Sequence, residues 1–346
     1  MRIRALDSIR GLLLVQMILD HFGNPFTTYL YQVFGFFSAA EGFFFLSGFV
    51  GILAARSKTN RGETLAWMPR RAFKIWRIHL FTLFSILAVA FLVFPSLLPY
   101  FKAYSSHPAA AIFLSVVLIH IPPWFDILPL YVFLLMAGFF VFPLLVRKHF
   151  LIVALGSLGL WALAQWGLRD LLLLFLPEYV YPGFFDLMAW QLVYFAGAIS
   201  AAILHYVLNA APSKEKFLNR MGFVSIAVSV FFCLWKYQVI PVPLPSDFWV
   251  SREHLGALRF LNFCAFAAGI SLAVRKRPQW LDFSFTAILG KNSLIVYALH
   301  TFLIYAWFIS PPALRFALPW NILIPVLSVV LLWGISLMME KQKQKF

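Results

Sequence analysis

AFKIWRIHLFTLFSILAVAFLVFPSLL, residues 72–98, is the stretch of this sequence that decides the fold class. It is longer than the roughly 20 apolar residues that an α-helix needs to cross a bilayer. Its charged residues, Lys74 and Arg77, both lie near its beginning. This pattern predicts a membrane-spanning helix that begins at a basic cytoplasmic surface.

Similar segments recur along the whole chain. Of its 346 residues, 62% are hydrophobic and 12% are charged, whereas a soluble domain is roughly half apolar and a quarter charged. A chain this apolar cannot bury all of its hydrophobic side chains in one core. Its surface must therefore be apolar as well, and we predict that lipid surrounds it. We predict an all-α polytopic bundle and a single membrane domain over residues 1–346. The ten predicted spans cover residues 9–28, 33–55, 72–98, 127–146, 151–168, 187–209, 222–240, 256–274, 283–309 and 321–339.

The distribution of Lys and Arg predicts the orientation of these spans. With a cytoplasmic N-terminus, the inner side holds Arg2, Arg4, Arg10, Arg56, Lys58, Arg61, Arg70, Arg71, Lys74, Arg77, Arg147, Lys148, Lys214, Lys216, Arg220, Arg275, Arg277, Lys276, Lys341, Lys343 and Lys345. The outer loops hold only Lys102, Arg169, Arg252 and Arg315. Basic residues in short loops stay inside, so both termini are predicted to be cytoplasmic. The net charge of +15 is thereby explained by membrane orientation, without a nucleic-acid partner.

One apolar piece, residues 109–121, is short and ends in Pro122 and Pro123. If it crossed the membrane, every later loop would change sides and the basic loops would face outward. We therefore predict a re-entrant, broken or surface-lying segment near residues 109–126, which is permitted where protein covers the backbone. The two cysteines lie inside apolar runs and have no metal-ligand spacing, so no metal site is predicted.

The strongest candidate for chemistry is Asp20 with His21, in the middle of the first predicted span. Ionisable groups in lipid are costly and usually mark function. Arg10 lies eleven residues before His21, so both share one helix face about 16 Å apart. Histidine is the natural general base near neutral pH, and arginine suits a phosphate-bearing donor. The alternative is a structural histidine bonded to a neighbouring helix.

Glu41 is the second candidate. The first two predicted spans form a hairpin with its turn near Tyr31, and His21 and Glu41 are each ten residues from that turn. They should therefore lie at similar depth in adjacent helices. A carboxylate there can orient an imidazole. Because an unpaired carboxylate in lipid is costly, Glu41 is expected to have a partner.

A third candidate is IHIPPWFDILPLY, residues 119–131, where His120, Trp124 and Asp126 surround the two-proline break. Broken helices at membrane depth line sites or cavities. A plain outer loop would explain the prolines equally well.

Weaker candidates lie in later spans: Trp190, Gln191, Lys291, Asn292 and His300. Interhelical hydrogen bonds are the alternative for Gln191 and Asn292, and snorkelling to the inner interface is the alternative for Lys291. A polyanionic donor needs basic cytoplasmic loops. Arg70, Arg71 and Arg77 are the residues that we expect to bind it.

Two early stretches resemble known sequence motifs. LDSIRG at residues 6–11, followed by His21, resembles the Arg-x10-His signature of the membrane acyltransferase superfamily. AAEGFFFLSGFV at residues 39–50 resembles the OpgC family of osmoregulated periplasmic glucan succinyltransferases. Supporting stretches are DILPLY at 126–131, DLMAWQL at 186–192 and LGKNSLIVYALH at 289–300. In DLMAWQL, Asp186 and Leu187 replace the family's usual Asn-Pro.

The resemblance implies an enzyme of the bacterial inner membrane that uses cytoplasmic acyl-CoA, with succinyl-CoA expected, as co-substrate and has no bound cofactor. Its acceptor would be a hydroxyl of a periplasmic glucan or related glycan, and its further partners would be membrane lipid and glucan biosynthesis proteins. The site residues implied are Arg10, Asp20, His21, Glu41 and Asp126. We assign acceptor-binding or supporting positions to Trp124, Trp190, Gln191, Asn292 and His300.

Two other functions stay open on the sequence. A proton-coupled transporter also places acidic residues and histidine at mid-membrane. Transporters commonly carry internal repeats and paired broken helices, and the sequence shows one broken segment and no repeat. A structural subunit of a glycan export system would not need the cluster of Asp20, His21 and Glu41.

Overall fold

The structure, a computed structural model, describes residues 4–23, 25–210 and 214–343. Arg2 and Lys345, two of the basic residues predicted to be cytoplasmic, lie outside the described residues. All regular structure in the described part of the chain is helical, which confirms the all-α class. The main helices are α1 (Arg4–His21), α2 (Ala39–Thr59), α3 (Trp67–Leu92), α4 (Pro108–Val116), α5 (Ile127–Val146), α6 (Phe150–Gln165), α7 (Leu187–Ala210), α8 (Glu215–Lys236), α9 (Ala257–Lys276), α10 (Ser284–Lys291), α11 (Ser293–Ile309) and α12 (Trp320–Lys343).

Short helical turns connect them. They are Thr27–Leu30, Pro95–Phe101, Lys102–Ser106, Leu168–Leu173, Asp247–Val250, Pro278–Leu281 and Pro312–Arg315.

Seven of the described helices are long and apolar enough to cross a bilayer: α2, α3, α5, α7, α8, α9 and α12. Helices α10 and α11 add an eighth span if the pair, bent by 88°, is counted as one. The 16 residues of α6 reach only about 24 Å, less than a hydrocarbon core of about 30 Å. The multi-pass helical class is therefore shown, whereas the count of ten spans and the cytoplasmic termini stay predictions.

The first two predicted spans have different ends in the structure. Helix α1 ends at His21 rather than near residue 28, and α2 begins at Ala39 rather than near residue 33. Gly23 and Gly35 have φ angles of +65° and +117°, which glycine adopts readily and which interrupt a helix. His21 is thus the last residue of α1, and the prediction that it lies in the middle of a helix is wrong.

The segment near residues 109–126 is broken, as predicted. Helix α4 has nine residues and reaches about 14 Å, so it cannot cross a bilayer alone. Irregular backbone follows it up to the start of α5, and Leu118 and Trp124 there both have a φ of 62°. The location of this segment relative to the bilayer stays a prediction.

The chain forms two compact units. Unit 1 contains the described parts of Met1–Phe43, Ala211–Val250 and Ala257–Phe346. Unit 2 contains Phe44–Ala210 and Ser251–Gly256. The single domain over the whole chain stays a prediction.

In unit 1, α1 and α10 approach closely at two glycines. A Cβ on Gly11 would lie 1.8 Å from the carbonyl oxygen of Thr286, and a Cβ on Gly290 would lie 1.8 Å from that of Asp7. Only glycine fits at such a contact. The hydroxyls of Ser8 and Thr286 share a hydrogen bond of 2.7 Å beside it. The crossing therefore joins the first and last of the stretches that carry the family resemblance.

In unit 2, the later part of α2 crosses α7 in the same way. A Cβ on Gly48 would lie 1.9 Å from the carbonyl oxygen of Tyr194, and a Cβ on Gly197 would lie 2.1 Å from that of Phe45. Helix packing is therefore the role of Gly48, because its small size lets the two backbones approach closely.

Candidate active site

His21 and His300 lie face to face in unit 1. Their ring centroids are 5.1 Å apart and their planes are inclined by 23°. His21 is half-buried at the end of α1, whereas His300 in α11 is only 1% exposed. Within the described residues, neither ring nitrogen of His300 has a hydrogen-bond partner. The fold thus places a weaker sequence candidate directly against the strongest one.

Aromatic contacts hold the end of α1 against α11. The indole N–H of Trp307 donates a 3.0 Å hydrogen bond to the carbonyl of Phe22, and the two rings are 6.0 Å apart. Tyr297 packs edge-on against His300 at 6.1 Å. The end of α1 is therefore fixed on the side that faces His300.

Arg10 shares one continuous helix with His21. Because α1 runs unbroken from Arg4 to His21, the two side chains lie on one face about 16 Å apart, as their spacing predicted. One guanidinium nitrogen of Arg10 is 3.9 Å from the Asp7 carboxylate, and the side chains of Arg10 and Asp7 are 14% and 8% exposed. Arg10 is thus a largely buried cation.

Asp20 is the penultimate residue of α1. Its carbonyl oxygen accepts hydrogen bonds from the Gly23 N–H at 3.3 Å and from the Thr27 hydroxyl at 3.4 Å. The residue thus marks the point where the chain leaves the helix, beside the imidazole pair.

Glu41 forms a buried ion pair in unit 1. Its carboxylate accepts a hydrogen bond from the guanidinium of Arg259 in α9. It also accepts hydrogen bonds from the backbone N–H and the hydroxyl of Ser38, at 3.0 and 2.9 Å. The side chains of Arg259 and Glu41 are 1% and 0% exposed. The expected partner of Glu41 is therefore confirmed, and its role in orienting His21 stays a prediction.

Arg259 is the residue that the sequence-based interpretation missed. It lies inside the predicted span 256–274, and a cation in an apolar run is as unusual as an acid there. The positive charge of Arg259 could have predicted the ion pair, because a buried acid in one span and a buried base in another are stable only when they are paired. Asn262 extends the network, since its side-chain oxygen accepts a 2.7 Å hydrogen bond from the Phe36 N–H.

Asp126 lies in unit 2, immediately before α5. Its carboxylate accepts a 2.5 Å hydrogen bond from the Phe184 N–H. Burial raises the pKa of Asp126 to about 6, although the Phe184 hydrogen bond and the charges of Arg252 and Arg169 act in the opposite direction. A carboxyl group with such a pKa is partly protonated near neutral pH, so it can donate as well as accept a hydrogen bond.

Asp126 borders a cavity of about 320 Å³ within unit 2. Aliphatic side chains form most of the wall, and Asp126, Arg169 and Asp186 are its charged members. Arg169 pairs with Glu253 and donates a 2.6 Å hydrogen bond to the Gly183 carbonyl. The volume lies at the lower end of the range for ligand pockets.

The stretch DLMAWQL begins α7. The Asp186 carboxylate accepts a 2.9 Å hydrogen bond from the Met188 N–H, which is the contact of a helix N-cap. Asp186 and Leu187 therefore start the helix here, at the place where the resemblance leads us to expect Asn-Pro.

Trp190 and Gln191 are internal residues of unit 2. Trp190 is 0% exposed, donates to the Arg252 carbonyl at 2.9 Å and packs on Phe185 at 4.5 Å. Gln191 accepts a 2.7 Å hydrogen bond from the Ser157 hydroxyl in α6 and donates to its carbonyl at 2.8 Å. The interhelical hydrogen bond that we considered for Gln191 is confirmed.

His120 and Trp124 lie in the break between α4 and α5. His120 is buried and accepts a 3.0 Å hydrogen bond from the Tyr181 N–H on its Nδ1 atom. Trp124 packs edge-on against Tyr100 at 5.8 Å. The break is therefore packed into unit 2 and is not a plain exposed loop.

Asn292 lies at the bend between α10 and α11. Its side chain donates to the Ile288 carbonyl at 3.1 Å and accepts from Lys343 at 2.9 Å. Lys291 lies 3.9 Å from the carboxylate of Glu340. Both residues thus connect the bend to the end of α12.

Arg70, Arg71 and Arg77 lie on the first three turns of α3, in unit 2, and are exposed. The Arg77 guanidinium lies 5.9 Å from the Phe73 ring centre. Exposed cations at the start of a long apolar helix form a basic surface that can attract anions.

Within the described residues, no group of three or more potential metal ligands comes together.

Comparison with known proteins supplies the family. The family model described as OpgC protein matches residues 2–344, nearly the whole chain. No curated protein and no solved structure matches the sequence. The family implies a glucan-modifying function of the acyltransferase kind. The chain belongs to the OpgC family.

Proposed function

We propose that this chain is an inner-membrane O-acyltransferase that moves an acyl group, with succinyl expected, from cytoplasmic acyl-CoA to a hydroxyl of a periplasmic glucan. The observation that carries the proposal is the imidazole pair of His21 and His300, with Arg10 on the same face of α1 as His21. Family membership supports the same chemistry.

His21 acts as the general base in this reaction. It removes the proton of the glucan hydroxyl while the hydroxyl oxygen bonds to the thioester carbon. The carbon–sulfur bond then breaks, and the departing coenzyme A thiolate takes the proton back from His21. No electrons are exchanged with another reagent, so the protein needs only to position the substrates and move one proton.

Arg10 has the chemistry to hold the donor. A guanidinium pairs well with phosphate oxygens, and the distance of about 16 Å from Arg10 to His21 separates the phosphates from the reacting thioester. Asp20, beside His21, and Asp126, in unit 2, remain proposed site residues on the resemblance. We place the glucan acceptor on the periplasmic side.

The direct test uses the purified full chain in lipid nanodiscs, succinyl-CoA and an unmodified periplasmic glucan. We expect free thiol to appear at the rate at which succinate is added to the glucan, measured by mass spectrometry. Thiol release without glucan modification would contradict a transferase. After reconstitution into sealed liposomes, a proton flux that accompanies movement of a solute would instead favour the proton-coupled transporter.

Neutralising the basic start of α3 tests donor contact there. The change of Arg70, Arg71 and Arg77 to Gln is expected to raise the Michaelis constant for acyl-CoA and leave kcat little changed, because ground-state binding is lost. The effect should shrink at high salt, since salt screens exposed charges. Changing Arg147 and Lys148 to Gln is the matched control for lost basic charge. An unaltered Michaelis constant at both salt concentrations would restrict these arginines to membrane orientation.

Labelling of single cysteines tests the proposed sidedness. In a background without Cys233 and Cys264, cysteines at positions 58, 148, 214 and 276 should react with an impermeant reagent only from the cytoplasm. Cysteines at positions 102 and 247 should react only from outside. This result follows if Lys and Arg set the orientation. If positions 58 and 148 react from opposite sides, the chain crosses the membrane within residues 109–121 and the proposed common cytoplasmic surface is lost.

A further inference from the structure

His300 carries two buried ring nitrogens that the fold does not use. The residue is 1% exposed, and neither nitrogen has a hydrogen-bond partner in the part of the chain that the structure describes. Burying an unpaired polar atom costs stability, and native proteins rarely do so without a functional reason. A phenylalanine would fill this place between helices without that cost. The imidazole therefore indicates a hydrogen-bond partner that arrives with the substrate.

The neighbours of His300 favour its neutral form. Besides His21, the rings of Phe22 and Tyr297 lie around it, at 6.5 and 6.1 Å. Once His21 has taken the hydroxyl proton, a second positive charge 5.1 Å away would be repelled strongly in such weakly polar surroundings. His300 therefore stays neutral during the reaction. A neutral imidazole still carries one N–H donor.

We infer that His300 is a second catalytic residue, whose neutral ring donates an N–H hydrogen bond to the acyl carbonyl oxygen in the transition state. This inference rests on the proposed transfer reaction. When the hydroxyl oxygen bonds to the thioester carbon, the π electrons of the carbonyl move onto its oxygen, and His300 stabilises that charge. When the carbonyl forms again, the thiolate leaves and takes the proton from His21. His300 keeps its own proton throughout.

The geometry of the pair allows His21 to act as the base while His300 donates a hydrogen bond. The attacking oxygen and the carbonyl oxygen are bonded to the same carbon in the tetrahedral intermediate. The base and the donor must therefore act within a few ångströms of each other, and two rings with centroids 5.1 Å apart satisfy this requirement. His79 provides the contrast. It is also buried, and both of its ring nitrogens lack a hydrogen-bond partner within the described residues. Its ring, however, packs against Phe125 rather than against another imidazole.

The test compares His300→Phe, which keeps an aromatic ring, with His300→Gln, which keeps an N–H donor. We expect His300→Phe to lower kcat by about 10²–10³-fold, the effect of losing one such donor, with the Michaelis constant for acyl-CoA little changed. His300→Gln should recover part of the loss. The pH dependence of the remaining activity should keep the shape set by His21. The control His79→Phe should leave turnover near that of the wild type.

Several results would overturn the inference. A His300→Phe enzyme with wild-type kcat would show that no donor is needed. A pH profile that loses its acidic limb, the fall in activity where the general base becomes protonated, in His300→Gln but keeps it in His21→Gln would reverse the two roles. If His300→Phe cannot be purified, His300→Leu replaces it in the comparison, and equal turnover of the Leu and Gln variants would count against the inference. A wild-type protein that transfers nothing from acyl-CoA would instead contradict the proposed function itself.

Discussion

Replacing His21 with Ala is expected to reduce the turnover of acyl transfer by about 10²–10⁴-fold, the usual cost of losing a general base, while the protein stays folded. His21 is half-buried at the end of α1, where a smaller side chain disturbs little packing. Turnover is measured as thiol release coupled to glucan modification, and folding is measured by size-exclusion chromatography and thermal unfolding.

The control for this substitution is His149→Ala, because His149 is exposed between α5 and α6. Its turnover should match that of the wild type. A His21→Ala enzyme with near wild-type turnover would contradict the mechanism. A protein that no longer accumulates in the membrane would support the structural interpretation of His21.

Replacing Arg259 with Met is expected to destabilise unit 1 by about 3–5 kcal/mol, because it leaves a buried charge without its partner. Glu41 is 0% exposed, so water cannot replace the guanidinium. The double variant Glu41→Gln, Arg259→Met removes both charges and should recover much of the loss. Thermal unfolding in detergent and the yield of folded protein measure the effect.

An exposed ion pair provides the matched control. Arg61 pairs with Glu63 on the surface, so Arg61→Met should leave the unfolding midpoint nearly unchanged. If Arg259→Met unfolds at the wild-type temperature, the buried pair does not hold this region together. If the double variant is stable but inactive, Glu41 has a role in the reaction beyond its ion pair.

The helical class of this protein could be predicted from local properties. A long apolar run must satisfy its backbone hydrogen bonds internally, so it becomes a helix wherever the solvent is lipid. Helix periodicity likewise places Arg10 and His21 on one face without any tertiary information. The helix ends were less accessible, because Gly23 and Gly35, which stop α1 and delay α2, lie among aromatic residues that continue the apolar pattern.

The sequence by itself determined the membrane character, the helical class and the placement of Arg10 and His21 on one face of α1. Hydropathy and the 3.6-residue period act over neighbouring residues, so they need no tertiary information. Only the tertiary structure decided which distant groups meet. Glu41 pairs with Arg259, 218 positions away, and His21 meets His300 at the other end of the chain. Apolar helices are nearly interchangeable as packing partners by composition. The glycine contacts between α1 and α10, formed only when the chain folds, select the neighbour of α1 and thereby complete the imidazole pair.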